Sequence, residues 1–94
     1  MTILRIEHKV PNYGGWKKAF DADPINRKQS GVRRYRVFRP IEDPNYVIID
    51  LEFDIPENAQ TTLASLQKLW TNVEGKVMVN PQTRLLNIEE TFDY

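Results

Sequence analysis

The chain has no cysteine, one histidine and only four glycines, and its charges cancel. Each shortage removes a class of function. Without cysteine there is no disulfide framework, no thiolate metal site and no cysteine nucleophile. With one histidine and no grouped carboxylates, a transition-metal site built within one subunit is not expected, and neither a metal nor a cofactor is assigned. Lys plus Arg and Asp plus Glu number 13 each, so no net field draws the chain to polyanions or membranes. No apolar run approaches the roughly 20 residues that span a bilayer. The chain opens directly on a strand pattern, so neither a transmembrane helix nor a signal peptide is expected, and the cytoplasm is the expected location. There is no glycine-rich phosphate loop, no H-E-x-x-H and no G-x-S-x-G.

What remains fits one soluble domain spanning residues 1–94, with 40% apolar and 28% charged residues. Its centre is the stretch from Gly31 to Phe53. Val32 to Arg39 and Tyr46 to Phe53 are dense in β-branched and aromatic residues and read as two strands. Pro40-Ile41-Glu42-Asp43-Pro44-Asn45 between them reads as a turn. The expected register sets Phe38 opposite Val47, Arg36 opposite Ile49, Tyr35 opposite Asp50, Arg33 opposite Glu52 and Val32 opposite Phe53. Alternation then gives one face Val47, Ile49, Leu51, Phe53, Phe38 and Val32, with Arg34 and Arg36. The other face takes Tyr46, Ile48, Val37 and Tyr35 among Arg33, Arg39, Asp50 and Glu52. A one-residue slip would exchange every one of these assignments.

Thr2 to Val10 alternates, with Leu4, Ile6 and His8 on its apolar side, and Pro11 ends it. Asn12 can cap a helix from Tyr13 to Ala22, whose inner stripe holds Trp16, Ala19 and Phe20. Pro24 interrupts that helix, and Ile25 to Ser30 reads as a second short helical piece stopped by Gly31. Asp54-Ile55-Pro56-Glu57 has the form of a capping box with proline in the first turn. A long helix follows, with Ala59, Leu63, Leu66, Leu69, Trp70 and Val73 on one stripe and Gly75 as its stop. Val77 to Val79 reads as a short apolar piece closed by Asn80-Pro81, and Thr83 to Glu90 as the last strand. The tail, with Phe92 and Tyr94, either docks on a neighbouring surface or frays.

The order β-α-β-β-α-β is the ferredoxin-like, α+β pattern: an antiparallel sheet with both helices on one face. The second face is then bare unless a partner covers it. Val37, Ile48, Tyr35 and Tyr46 are expected there, which favours pairing with an identical sheet as a homodimer.

These residues carry a family resemblance. Pro11-x-Tyr13-x-x-Trp16-Lys17-x-x-Phe20-Asp21, then Gly31-Val32-x-x-Tyr35-x-Val37-x-Arg39, Asp43-Pro44-Asn45 and Val47-x-x-Asp50-Leu51-Glu52-Phe53, resemble the dimeric α/β-barrel superfamily. Within it the chain is most similar to small uncharacterised bacterial proteins loosely labelled cyclases. The superfamily also holds cofactor-free antibiotic-biosynthesis monooxygenases and related stress-responsive barrel proteins. The resemblance implies the fold and a homodimer. It implies no single activity, and no catalytic signature carries over residue by residue.

The candidate residues each have two readings. His8 suits a general base, since imidazole titrates near neutrality, or is a core histidine bonded to backbone. Trp16 and Trp70, with Phe20, can wall a pocket for an aromatic or polyketide-like ligand, or are plain core. Tyr35 beside Asp50 can form an acid/base pair or a hydrogen-bonded interface pair. Arg33, Arg34, Arg36 and Arg39 can bind an anion, or form a charged edge strand with ion pairs to Glu52, Asp50 or Glu42. An RNA-recognition module shares the element order, but Tyr46 to Phe53 is acidic and aliphatic rather than rich in stacking aromatics, so no nucleic acid is expected. The expectation that follows is a dimer binding a small organic molecule. As an enzyme it would be a cofactor-independent monooxygenase or cyclase, with His8 as proton acceptor and Arg36 or Tyr35 polarising an oxygen. The alternative is a non-catalytic ligand-binding or accessory dimer.

Overall fold

The computed structural model describes residues 1–73 and 78–94. It contains β1 (Thr2–Lys9), α1 (Tyr13–Asp21), β2 (Val32–Phe38), β3 (Tyr46–Phe53), α2 (Pro56–Val73) and β4 (Val79–Asn87), the ferredoxin-like order. The strands form one antiparallel sheet in the order β2-β3-β1-β4, so the two inner strands are those with the most apolar alternation. The Cα envelope, 34 × 32 × 19 Å, is the thickness of one sheet layer and one helix layer.

Leu4, Ile6 and His8 of β1 share a face with Val47, Ile49, Leu51 and Phe53 of β3, because β1 pairs with β3 in the register Leu4↔Leu51, Ile6↔Ile49, His8↔Val47. All seven are buried, and Ala59, Leu66 and Trp70 of α2 and Trp16 of α1 complete the core. Full burial of Leu4, Val47 and Phe53 contributes roughly 1.5–3 kcal/mol each. Asn12 caps α1 as expected: its backbone is extended, and its side-chain oxygen accepts from Gly15 N at 2.9 Å. Such a cap is worth about 1 kcal/mol.

Four local expectations need correction. The hairpin register holds at Val32↔Phe53, then shifts by one residue between Val32 and Arg34, so that Tyr35 faces Leu51, Arg36 faces Asp50 and Phe38 faces Ile48. Tyr35 and Val37 therefore join the helix-covered face, and Arg34, Arg36 and Phe38 join the bare one. An irregularity of this kind inserts one unpaired residue, which an alternating pattern cannot reveal. Ile25 to Ser30 is not a helix but a run of turns. Asp23 and Asn26 both sit at φ 53 and Gly31 at φ 98, geometry that an α-helix excludes. The capping box does not form: α2 starts at Pro56, one residue later than that spacing requires, and the Asp54 carboxylate lies 3.4 Å from Arg33 Nε. The last strand runs Val79–Asn87 rather than Thr83 to Glu90, because β1 offers partners only from Lys9↔Val79 to Thr2↔Asn87. Asn80 and Pro81 lie inside it, tolerated on an edge strand beside the register shift between Glu7 and Lys9. Gly75 as a helix stop and Val77 as an apolar position fall outside the described residues.

The bare face carries Ile3, Arg5 and Glu7 of β1, Tyr46, Ile48, Asp50 and Glu52 of β3, and Arg34, Arg36 and Phe38 of β2. Several of its polar groups are paired within the chain, while Arg36 has no ion-pair partner among the described residues. Arg5 grips Asp50 through two 2.8 Å bonds, and the Tyr46 hydroxyl donates to Glu7 at 2.8 Å. No described helix is long and apolar enough to cross a membrane.

Candidate functional site

Between the helices and the sheet lies an apolar cavity of about 160 Å³. Its floor is Ile6, His8, Ile49 and Leu51 of the sheet. Trp16, Ala19 and Phe20 of α1 and Leu66, Leu69 and Trp70 of α2 form its sides. It exists because both helices place large aromatics at their inner stripe, and Pro24 and Ile25 of the turn region, rather than a third helix, close one end. A cavity of about 150 Å³ is enough to hold one benzene ring. This one therefore takes a single ring, and the rest of any larger ligand projects from its mouth.

His8 is the one group on the floor able to accept a proton. Its ring is buried, at 1% exposure. Nδ1 lies 3.0 Å from the Lys9 carbonyl, an acceptor, so Nδ1 carries the hydrogen and Nε2 keeps its lone pair. Nε2 is buried without a hydrogen-bond partner. Burial pushes the imidazolium pKa below its ordinary 6.5, and the Lys9 carbonyl opposes that only in part. The ring is thus neutral at neutral pH, with one free acceptor beside an apolar space. The other unpaired buried side-chain atom among the described residues, Thr62 Oγ1, belongs to no residue of the cavity wall.

An aromatic ladder runs from this histidine to the surface. The His8 and Trp16 rings meet edge-on at 5.9 Å, Trp16 stacks on Phe20 at 5.1 Å, and Phe20 meets Tyr35 edge-on at 5.0 Å. Such pairs contribute roughly 0.5–1.5 kcal/mol beyond burial, which fixes the wall. Arg27 closes the ladder. Its guanidinium carbon sits 4.0 Å above the Phe20 ring and 4.9 Å from the Tyr35 ring, and its Nη1 donates to the Phe20 carbonyl at 2.8 Å.

The structure therefore gathers His8, Trp16, Phe20 and Trp70 around one space; Tyr35, 43% exposed, is not part of the lining and meets it only through its edge-on contact with Phe20. It does not bring Arg36 or Asp50 there. Both lie on the bare face, Arg36 opposite Asp50 and near the Phe38 ring, and Asp50 is occupied by Arg5. The expected Tyr35–Asp50 pair does not form, because the register shift sets the two on opposite faces. Arg27 is the cavity residue that the sequence reading missed. It sits in a turn with no periodicity, and its only signal is the Asp23-to-Arg27 spacing, realised as a 3.6 Å ion pair. No group of three or more His, Cys, Asp or Glu among the described residues could hold a metal ion.

Comparison with known proteins places this geometry in a fold class. No family model matches the chain, and no curated protein sequence does. Solved structures do match. A variant of SnoaB, a cofactor-independent oxygenase from Streptomyces nogalater, superposes with a TM-score of 0.78 at 11% identity, covering 99% of this chain and 97% of that one. A structure of MhuD with two manganese protoporphyrin IX molecules per active site gives 0.68 at 13% identity, covering the whole of both chains. A dimeric ferredoxin-like protein from an uncultured marine organism gives 0.65 at 9% identity, again over both whole chains. The chain has the ferredoxin-like fold, as its residues implied. At these identities the likeness is one of fold.

Proposed function

We propose that this protein is a cytoplasmic homodimer in which each cavity holds one ring of a small aromatic or polyketide-like molecule, and that His8 is the proton acceptor of a cofactor-independent oxygenation or cyclisation. The observation that carries the reading is the buried, unpaired Nε2 of His8 at the floor of an aromatic-walled cavity. Leaving such an acceptor unpaired costs stability, so its retention at a pocket is a mark of function. In the oxygenation, Nε2 takes a proton from a ring CH₂ acidified by a conjugated carbonyl, as in an anthrone. The resulting carbanion is oxidised by dioxygen, with CH₂ + O₂ giving C=O + H₂O overall. Trp16, Phe20 and Trp70 hold the ring. Arg27 replaces Arg36 as the cation nearest the reacting oxygen, and Tyr35 meets the site only through Phe20.

The dimer reading rests on the bare face. Ile3 and Ile48 lie there with Phe38, which is 39% exposed, while Arg5 is paired with Asp50 and Glu7 accepts from the Tyr46 hydroxyl. Such a face loses little on being covered by its own copy. The dimeric ferredoxin-like neighbour supports the same assembly.

A second reading, a non-catalytic ligand-binding dimer, draws on one feature. Arg27 already donates Nη1 to the Phe20 carbonyl and lies 3.6 Å from Asp23, so part of its hydrogen-bonding capacity is spent on the protein itself before any ligand arrives. Thermal melts with a panel of phenols and anthrones, followed by oxygen uptake, separate the two. Binding should raise the melting temperature. His8→Leu should keep the shift and lose turnover about 10²-fold or more. Unchanged turnover removes His8 from the chemistry; binding with no turnover on any of the panel favours the binder; no shift at all overturns the cavity reading. A monomer by sedimentation at micromolar concentration overturns the dimer.

A further inference from the structure

Arg27 borders two hollows. One is the apolar cavity; the other is a solvent-facing cleft of about 700 Å³ edged by Asp23, Arg27, Lys28, Arg33, Arg34 and Tyr35. We propose that this cleft receives the carboxylate of an aromatic acid whose ring sits in the cavity. The inference rests on the ring-binding reading above and narrows its substrate class.

Three observations support it. The first is continuity: Phe20 walls the cavity, Tyr35 edges the cleft, and the Arg27 guanidinium lies against both rings, at 4.0 and 4.9 Å. A ligand leaving the cavity at this end meets that cation first. The second is size. A space of about 160 Å³ holds one ring, so a ring substituent must lie outside it.

The third is charge. Arg27 faces Asp23 at 3.6 Å, Arg33 faces Asp54 at 3.4 Å and Arg34 faces Glu52 at 3.9 Å. Lys28 has no ion-pair partner among the described residues. Four cations against three carboxylates leave one positive charge, the complement of a single carboxylate. Those three pairs are longer than the roughly 2.7–2.9 Å of a charge-assisted hydrogen bond, so the guanidiniums retain donors for an incoming anion. The fold also arranges the cluster. Successive strand residues normally point apart, but the register shift between Val32 and Arg34 lets both Arg33 and Arg34 edge the same cleft.

The test uses two ligands with one ring: 4-ethylphenol and its carboxylated counterpart 3-(4-hydroxyphenyl)propanoate. Binding to the full chain is read by titration calorimetry at low salt and at about 1 M salt, where the Debye length shrinks to about 3 Å. The acid should bind about tenfold tighter than the neutral phenol at low salt, and the preference should fade at high salt. In Lys28→Gln/Arg33→Gln the preference should vanish while affinity for 4-ethylphenol stays unchanged. Equal affinities at low salt, or a preference that survives both substitutions, overturns the cleft as the carboxylate site and leaves the cavity reading standing. Failure of both ligands to bind overturns the cavity reading and this inference with it.

Discussion

Replacing His8 with leucine should make the protein more stable and chemically idle. The gain follows from the two ring nitrogens. Nε2 is buried with no partner, and removing an unpaired buried acceptor returns roughly 1–3 kcal/mol. The Nδ1 bond to the Lys9 carbonyl is lost, at a cost of about 0.5–1.5 kcal/mol. Leucine is close in size and wholly apolar, so the balance at about pH 8 is a stabilisation near 1 kcal/mol. Acid widens the gap, and the sign is fixed by linkage. Burial depresses the folded-state pKa below 6.5, so between those two values the unfolded chain binds more protons than the folded one. Wild-type stability from this group is therefore complete above the ordinary histidine pKa. It falls as the pH drops toward the depressed value, by up to about 1.4 kcal/mol per pH unit. The leucine variant has no such slope. Urea unfolding of both proteins at about pH 8 and about pH 5.5, at one protomer concentration, reads the difference while other titrations cancel. A leucine variant destabilised by more than about 1 kcal/mol at the higher pH, with the same difference at the lower, would refute the assignment of a neutral, unpaired imidazole.

Two further pairs of substitutions probe the frame around the site. Arg5→Met strands the Asp50 carboxylate, which is 3% exposed, and should cost about 3–5 kcal/mol in urea unfolding. Asp50→Asn should cost distinctly less, because Arg5 is 40% exposed and can turn to water; equal losses or the reverse order would contradict the burial asymmetry. Gly31→Ala should lower stability by more than about 1 kcal/mol, since Gly31 sits at φ 98 and an added Cβ would lie 2.7 Å from Asn58 Nδ2. In an Asn58→Ala background only the steric share should return, and a thermal melt showing no loss from Gly31→Ala would count against that backbone geometry.

The architecture was legible because it rests on periodicity. Leu4, Ile6 and His8 alternate, the long helix repeats its apolar residues at three and four, and Asn12 has the geometry of a cap; each signal is local and matches the fold. The walls of the cavity were legible for the same reason, since Trp16, Phe20 and Trp70 lie on helix stripes that can only point inward. The turn from Asp23 to Gly31 was not legible. Its conformation depends on Asp23 and Asn26 adopting positive φ, and both residue types tolerate helical as well as left-handed backbone. A short helix there would have carried Arg27 along a helical face. As a run of turns, the segment folds the guanidinium back onto Phe20 instead.

The register shift in β2 decides more of the chemistry than any single side chain. An unbroken ladder from Val32 would have put Arg34 and Arg36 against the helices, where each buried charge would need a partner that the apolar cavity does not contain. One residue of slippage after Val32 sends them to the bare face, beside Glu52 and Asp50, and brings Tyr35 and Val37 inward. The cavity wall stays apolar as a result, which keeps His8 desolvated and its pKa low. The same slip carries Arg33 and Arg34 together to the edge of the cleft beside Arg27. Positive charge is thus excluded from the cavity floor and collected at one end of it. A neutral base can then work in a dry space while an acidic substituent is held outside.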